Sequence, residues 1–493
     1  MPPAARVGGI PRSQPARRTR WFVVSSTIET DAKARLAEVV GADNLLTGDD
    51  VGEDYGHDET LQVEPAKPAY VAKPGTAEEV AKLLATATEL RIPVTARGSA
   101  TGLSAAARPV DGGLVISFER MNRVLEVDPV NHVAVVQPGV TLDELDKATA
   151  DHGLAYMVYP GEQSASVGGN VGTNAGGMRA VKYGVARHNI LGLQAALPTG
   201  ELIRTGGRIA KVSTGYDLTQ LIVGSEGSLA LATEVIVKLV PRLPHSATVL
   251  APFTEFTEVV AAVPKVIGSG LAPYILEYID NLTMAAITHT SQLELGIPDD
   301  VRDKAQAYLV VALENREQER LDGDVQAVAE LLTGLGAMDC YVLDGSSARK
   351  LIQAREHAFW TAKAAGAHDV IDVVVPRSAM PEFLTRAREL AAQNQSGVVG
   401  CGHAGDGNVH LAVFQADPIK RAELLSAIFA EGVRLGGAVS GEHGIGRAKR
   451  GYFQALEEPG KIELMRGIKP AFEPAGILNP GVLFDPIAPS ADQ

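Results

Sequence analysis

The apolar positions of this chain change period several times. From Thr27 to Val40 they recur at helical spacing, which predicts an amphipathic helix. Ala69 to Ala72 reads as a strand. Thr76-Ala-Glu-Glu79 is a capping box that opens a helix to about Leu90. Ile92–Ala96, Leu114–Phe118 and Val133–Gln137 read as strands, and a second box, Thr141-Leu-Asp-Glu144, opens a helix that stops at Gly153. A strand near Ile190–Leu197, a hairpin through Thr199-Gly200 and the alternating strand Glu234–Val240 precede a break between Pro241 and Pro244.

We place a domain boundary at that break. From 246 to about 440 strands and helices alternate regularly. Thr248–Phe253, Tyr274–Ile279, Tyr308–Leu313, Cys340–Leu343, Asp372–Val375, Val398–Cys401 and Val409–Phe414 read as strands. The pattern predicts an antiparallel sheet with helices on one face, an α+β module. The expected division is a disordered tail over 1–24, domains over 25–244 and 245–455, and a C-terminal segment over 456–493.

Composition narrows the classes. A chain of 493 residues exceeds one simple core, so two or three domains are expected. Hydrophobic content of 45% with 21% charged residues fits a soluble globular enzyme, and a formal charge of −14 argues against a general nucleic-acid binder. Cys340 and Cys401, the only two cysteines, exclude a disulfide framework, a four-cysteine zinc site and an iron–sulfur cluster held by this chain, and fit a reducing compartment. No apolar run is long enough to span a membrane. The arginine- and proline-rich start lacks the apolar core of a secretory signal.

Three stretches carry candidate chemistry. Residues 160–177 are rich in glycine and short polar side chains, which bring backbone N–H groups close to a large, polar, anionic cofactor. They are not a nicotinamide fingerprint, and a plain surface loop is the competing reading. Arg97-Gly-Ser-Ala-Thr-Gly-Leu-Ser104 follows a strand and has the small residues of a pyrophosphate turn. His403-Ala-Gly-Asp-Gly-Asn-Val-His410 and Gly441-Glu442-His443-Gly444 bring three imidazoles and a carboxylate into two glycine-rich loops. Two His and one Glu form a common ligand set for zinc or another divalent metal. Arg355 sits on an expected helix, either on a solvated face or as a bidentate clamp for a carboxylate.

Taken together, these segments with Gly224-Ser-Glu-Gly-Ser228 and Asn479-Pro480-Gly481 resemble the FAD-linked oxidases of the vanillyl-alcohol-oxidase type. The closest branch is the group that holds D-lactate dehydrogenase, the flavoprotein of glycolate oxidase, and D-2-hydroxyglutarate dehydrogenase. The resemblance runs from about Asp54 to the C-terminus. It implies an α+β architecture: a PCMH-type FAD-binding domain of two α+β subdomains, an α+β substrate cap, and a tail returning to the flavin domain. It further implies that Gly98, Ser99, Ala100, Thr101, Gly102 and Ser104 hold the FAD pyrophosphate. Pro160, Gly161, Ser164, Ser166, Gly168, Gly169 and Asn174 would line the rest, with Asn479 reaching in from the tail. His403, His410 and Glu442 match the family's metal ligands, His443 its catalytic base and Arg355 its carboxylate clamp.

The implied reaction is oxidation of a 2-hydroxy acid, with hydride passing to non-covalent FAD and electrons to a quinone, a cytochrome or an electron-transfer flavoprotein. Phe359, Val370 and Ala412 fall where hydroxyglutarate-specific relatives place Thr, Lys and Asn, which favours a monocarboxylate such as D-lactate. Glycolate or D-2-hydroxyglutarate dehydrogenase is the alternative on the same scaffold; a zinc hydrolase or a non-catalytic flavin-binding protein is a remote one. A cytoplasmic location is expected, with peripheral membrane attachment and a homodimer left open.

Overall fold

The computed structural model describes residues 26–61 and 63–486; the arginine-rich start of the chain lies outside them. The N-terminal part builds a four-stranded sheet in the order Leu45–Thr47, Tyr70–Ala72, Leu114–Ser117, Val94–Arg97. The last three strands are parallel, and Leu45–Thr47 is antiparallel to its neighbour. The first capping signal forms its N-cap half, while the Glu79 carboxylate reaches back to the Gly75 N–H rather than to Thr76. Thr76 Oγ1 accepts the Glu79 N–H at 3.1 Å, and helix Ala77–Leu90 follows. Its Val80, Leu83 and Leu84 are fully buried against the sheet, each contributing roughly 1.5–3 kcal/mol. Beyond Val94–Arg97 the chain's far end takes the edge: Val94 N–H donates to Ile477 at 2.8 Å, and Asn479 N–H to Val94 at 2.7 Å.

A second, five-stranded antiparallel sheet runs Val124–Asp128, Val133–Val136, Leu231–Lys238, Ile190–Ala196, Leu202–Gly206. Within the glycine-rich stretch the chain is a helix, Val167–Thr173, not a loop. Ser166 caps it by accepting the Gly169 N–H at 3.1 Å, and Asn174 ends it in the left-handed region. Helix propensity here is poor. Tertiary packing overrides it, because Val167 and Val171 are buried in the core of this sheet.

From His245 onward the chain forms a seven-stranded sheet, antiparallel throughout: Tyr341–Leu343, His245–Phe253, Ala307–Asn315, Ile275–Asp280, Gly397–Gly402, Asn408–Phe414, Asp369–Val374. Helices cover both faces, which corrects the one-sided expectation. Val249, Leu309 and Val311 pack with Phe256–Gly268, Gln318–Gly334, Met380–Gln393 and Pro418–Arg434 on one face. Leu250, Tyr308 and Val310 alternate with them and pack against Asn281–Thr290 and Gly345–Glu356 on the other. The strands are apolar on both faces, so they show no strict alternation that would have marked one face as wet. Among the described residues no helix is long and apolar enough to cross a membrane.

Candidate active site

Two cavities meet between these units. The larger is a cleft of about 1320 Å³, counting its open mouth. Gly98, Ser99, Ala100, Thr101, Gly102, Ser104, Pro160, Ser166, Gly168, Gly169 and Asn479 all line it. The walls are in close contact: a side chain on Gly98 would overlap the Ser166 hydroxyl, and one on Gly168 would come 2.7 Å from Pro138. Ala100 holds φ 54 in the turn, a left-handed conformation natural to glycine. Asn479 is fixed by donating from Nδ2 to the carbonyls of Ala106 and Glu226, both at 2.8 Å.

The cleft is built to bind something polar. Ser104 Oγ, Asn170 Nδ2 and Ser225 Oγ line it, buried without a hydrogen-bond partner among the described residues. Three expected cofactor contacts, Gly161, Ser164 and Asn174, are not brought to it. Ser164 is exposed and donates its hydroxyl to Glu162 at 2.8 Å, while Asn174 Oδ1 accepts the Arg187 N–H at 2.8 Å. Their polar groups serve the local turn and the helix end. Gly161 lines the second cavity.

That second cavity, about 950 Å³ counting its open mouth, shares Leu103, Pro160, Glu442 and His443 with the first. His403, His410 and Arg355 line it too. The ligating atoms of His403, His410 and Glu442 lie within 4.8 Å of one another. Glu442 Oε1 is 3.0 Å from His403 Nε2 and 3.2 Å from His410 Nε2. The strand pairing Cys401 with His410, closed by the tight turn at 403–407, sets the two imidazoles side by side. The His410 and His443 rings stack at 5.0 Å.

Charges around the cluster are strongly coupled. Burial alone would lower the His403 pKa, but the carboxylates of Glu277 and Glu442 outweigh it and raise it to about 10. Two buried carboxylates on one imidazole make a pocket that favours a cation, a donor set suited to a divalent metal. His443 is the opposite case: burial pushes it down to about 4, so it is neutral at pH 7 and able to accept a proton. Arg355, 8% exposed, is buried rather than solvated. Its Nη2 pairs with Glu277 Oε2 at 2.7 Å, and its Nε has no hydrogen-bond partner among the described residues.

The sequence reading missed Glu277 and Asp372. Glu277 Oε1 lies 2.7 Å from His403 Nδ1. Asp372, fully buried, receives the N–H groups of Gly441, Glu442 and His443 on Oδ2 at 3.1, 3.2 and 2.8 Å, fixing the loop that carries two site residues. A usable signal existed: each is an acid inside an otherwise apolar strand, Tyr274–Ile279 and Val370–Val375.

Comparison with known proteins gives the class. Residues 68–206 match the model of the FAD binding domain, and residues 242–483 that of the FAD linked oxidases, C-terminal domain. The chain belongs to the FAD-linked oxidases. It is 69% identical over 92% of its length to an uncharacterised FAD-linked oxidoreductase of Mycobacterium tuberculosis, covering 99% of that protein. It is 36% identical to a D-lactate dehydrogenase of Anaerostipes hadrus, over 89% of this chain and 94% of that one. It is 33% identical to a D-2-hydroxyglutarate dehydrogenase of Xanthomonas citri, over 91% and 96%. The fold matches p-cresol methylhydroxylase at a TM-score of 0.77 and 18% identity, over 94% of this chain and 98% of that one. The flavin domain expected from the sequence is thus present in the PCMH-type fold, and the protein is an FAD-linked oxidoreductase.

Proposed function

We propose that this oxidoreductase converts a D-2-hydroxy acid to the 2-oxo acid, with D-lactate as the reference substrate. The observation that carries the reading is the junction of the two cavities. Glu442 and His443 face the cofactor cleft on one side and the pocket of Arg355, His403 and His410 on the other. FAD bound in the cleft supplies the hydride acceptor. A divalent metal, zinc by the donor set, would be held by His403, His410 and Glu442 and would lower the pKa of a coordinated hydroxyl.

The protein's own part is binding and proton transfer. Arg355 Nε is free to pair with the substrate carboxylate, a charge-assisted contact that fixes which carbon faces the flavin. His443, kept neutral by burial, takes the hydroxyl proton. Relatives named for D-lactate and D-2-hydroxyglutarate support the substrate class. The test is anaerobic mixing of the flavin-loaded enzyme with D- and L-lactate. Loss of the oxidised flavin's colour with D-lactate and not with L-lactate is the expected result; colour unchanged by any 2-hydroxy acid would overturn the proposal.

A further inference from the structure

The substrate pocket continues well past the groups a three-carbon acid needs. Its two cross-strand rows differ sharply in chemistry. His410 lies between Asp372 on one neighbouring strand and Cys401 on the other. Two residues on, about 7 Å further along the strand, Ala412 lies between Val370 and Val399, an all-apolar row. Phe414 extends the same side of the strand another step, roughly 7 Å more. The facing wall comes from helices Asn281–Thr290 and Ala358–Ala364, through Leu282, Ala286, Phe359 and Ala362.

We infer that the pocket selects 2-hydroxy acids whose side chain is an extended apolar group of four or more carbons, in preference to D-lactate, glycolate or D-2-hydroxyglutarate. The inference rests on the proposed 2-hydroxy-acid oxidation and names its substrate class. Apart from the cluster at the junction with the cofactor cleft, Arg355 is the only lysine or arginine among the described lining residues. Its partner is the substrate's first carboxylate. A second carboxylate against the Val370–Ala412–Val399 row would lose water to an apolar surface with no second lysine or arginine among the described lining residues to meet it. A substituent as short as a methyl group leaves that apolar row, two residues along the strand from His410, uncovered.

The test is a chain-length series on the flavin-loaded enzyme: glycolate, D-lactate, D-2-hydroxybutyrate, D-2-hydroxyhexanoate, D-2-hydroxyoctanoate and D-2-hydroxyglutarate. Calorimetric Kd values for the matching 2-oxo acids are measured alongside. Each added methylene is expected to raise kcat/KM, and tighten the 2-oxo acid, roughly three- to fourfold up to six or more carbons, with D-2-hydroxyglutarate poorest. Ala412→Phe and Ala286→Phe are expected to reverse the six-carbon to three-carbon preference. D-lactate or D-2-hydroxyglutarate equalling the six-carbon acid in both measurements would overturn the inference while leaving the oxidation intact. Flavin untouched by every acid, with 2-oxo acid affinity still rising with length, would overturn the oxidation and support the pocket's preference.

Discussion

Glu277 Oε1 lies 2.7 Å from Nδ1 of His403, and that carboxylate's other oxygen pairs with Arg355 at 2.7 Å. One buried acid therefore orients a candidate metal ligand and the candidate carboxylate clamp together. Orienting partners of this kind typically change metal affinity or activity 10- to 100-fold when altered. Glu277→Gln is expected to weaken metal binding by that order with the fold retained. Glu277→Ala, which strands the Arg355 charge, is expected to cost about 3–5 kcal/mol of stability. Competition with a chelator and urea unfolding measure the two effects; a silent Glu277→Ala would refute the linkage.

Asp372 holds the loop and also faces the site's imidazoles, 3.9 Å from His443 Nδ1 and 3.8 Å from His410 Nδ1. Besides three backbone N–H groups it receives the Ser440 hydroxyl at 2.6 Å and Asn408 Nδ2 at 2.8 Å, with Lys449 Nζ at 3.5 Å. Asp372→Asn removes that buried lysine's ion-pair partner and is expected to destabilise by about 3 kcal/mol. The midpoint of denaturant unfolding reads this directly. An unchanged midpoint would mean the loop is held by other contacts.

Much of the fold was legible in the sequence, for reasons that these residues make concrete. The capping signals at Thr76 and Thr141 predicted helices that form, with the full box closed at Thr141 and the N-cap alone at Thr76. The histidines at 403 and 410 came together because a short hairpin fixes them locally, whereas His443 is brought in by its loop's contacts to the distant Asp372. Glu277 is 126 residues from His403, and no local pattern encodes that pairing. The helix at Val167–Thr173 was hidden for the converse reason: its glycines argue against a helix that only packing creates. Two-sided burial of the seven-stranded sheet hid the second layer of helices in the same way.

The small-residue turn at 97–104 offers a test of backbone strain. Ala100 at φ 54 carries a left-handed cost of about 1–2 kcal/mol, offset by the roughly 0.5–1 kcal/mol of chain entropy that glycine would add on unfolding. Ala100→Gly is therefore expected to be neutral or stabilising by up to about 1 kcal/mol, and Ala100→Val clearly destabilising. Thermal unfolding of the two variants checks the sign. A large loss in the glycine variant would show that the alanine methyl packs usefully.

Glu226 predicts a pH dependence. Burial pushes its pKa up to about 7 despite N–H donors from Ile445 and Gly446 at 2.9 and 2.7 Å. Its folded pKa lies above the unfolded value, so between them the native state holds the extra proton. That contribution is fully present below about pH 4.5 and is lost as pH rises through 7. At about 1.4 kcal/mol per pKa unit, the loss is on the order of 3 kcal/mol. Glu226→Gln should flatten the decline in stability between pH 5 and 8. A variant whose decline matches the parent chain would assign it to other groups.

The most direct test of the account is the role of the His403, His410 and Glu442 cluster in the oxidation. The flavin-loaded enzyme is stripped of metal with a chelator, checked for retained FAD, and mixed anaerobically with D-lactate or its better-fitting homologues while the flavin's visible absorbance is followed. The account predicts that reduction falls at least 100-fold, returns on adding one equivalent of zinc or manganese, and does not return in His403→Ala. Reduction that proceeds at full rate in the metal-free enzyme would contradict it.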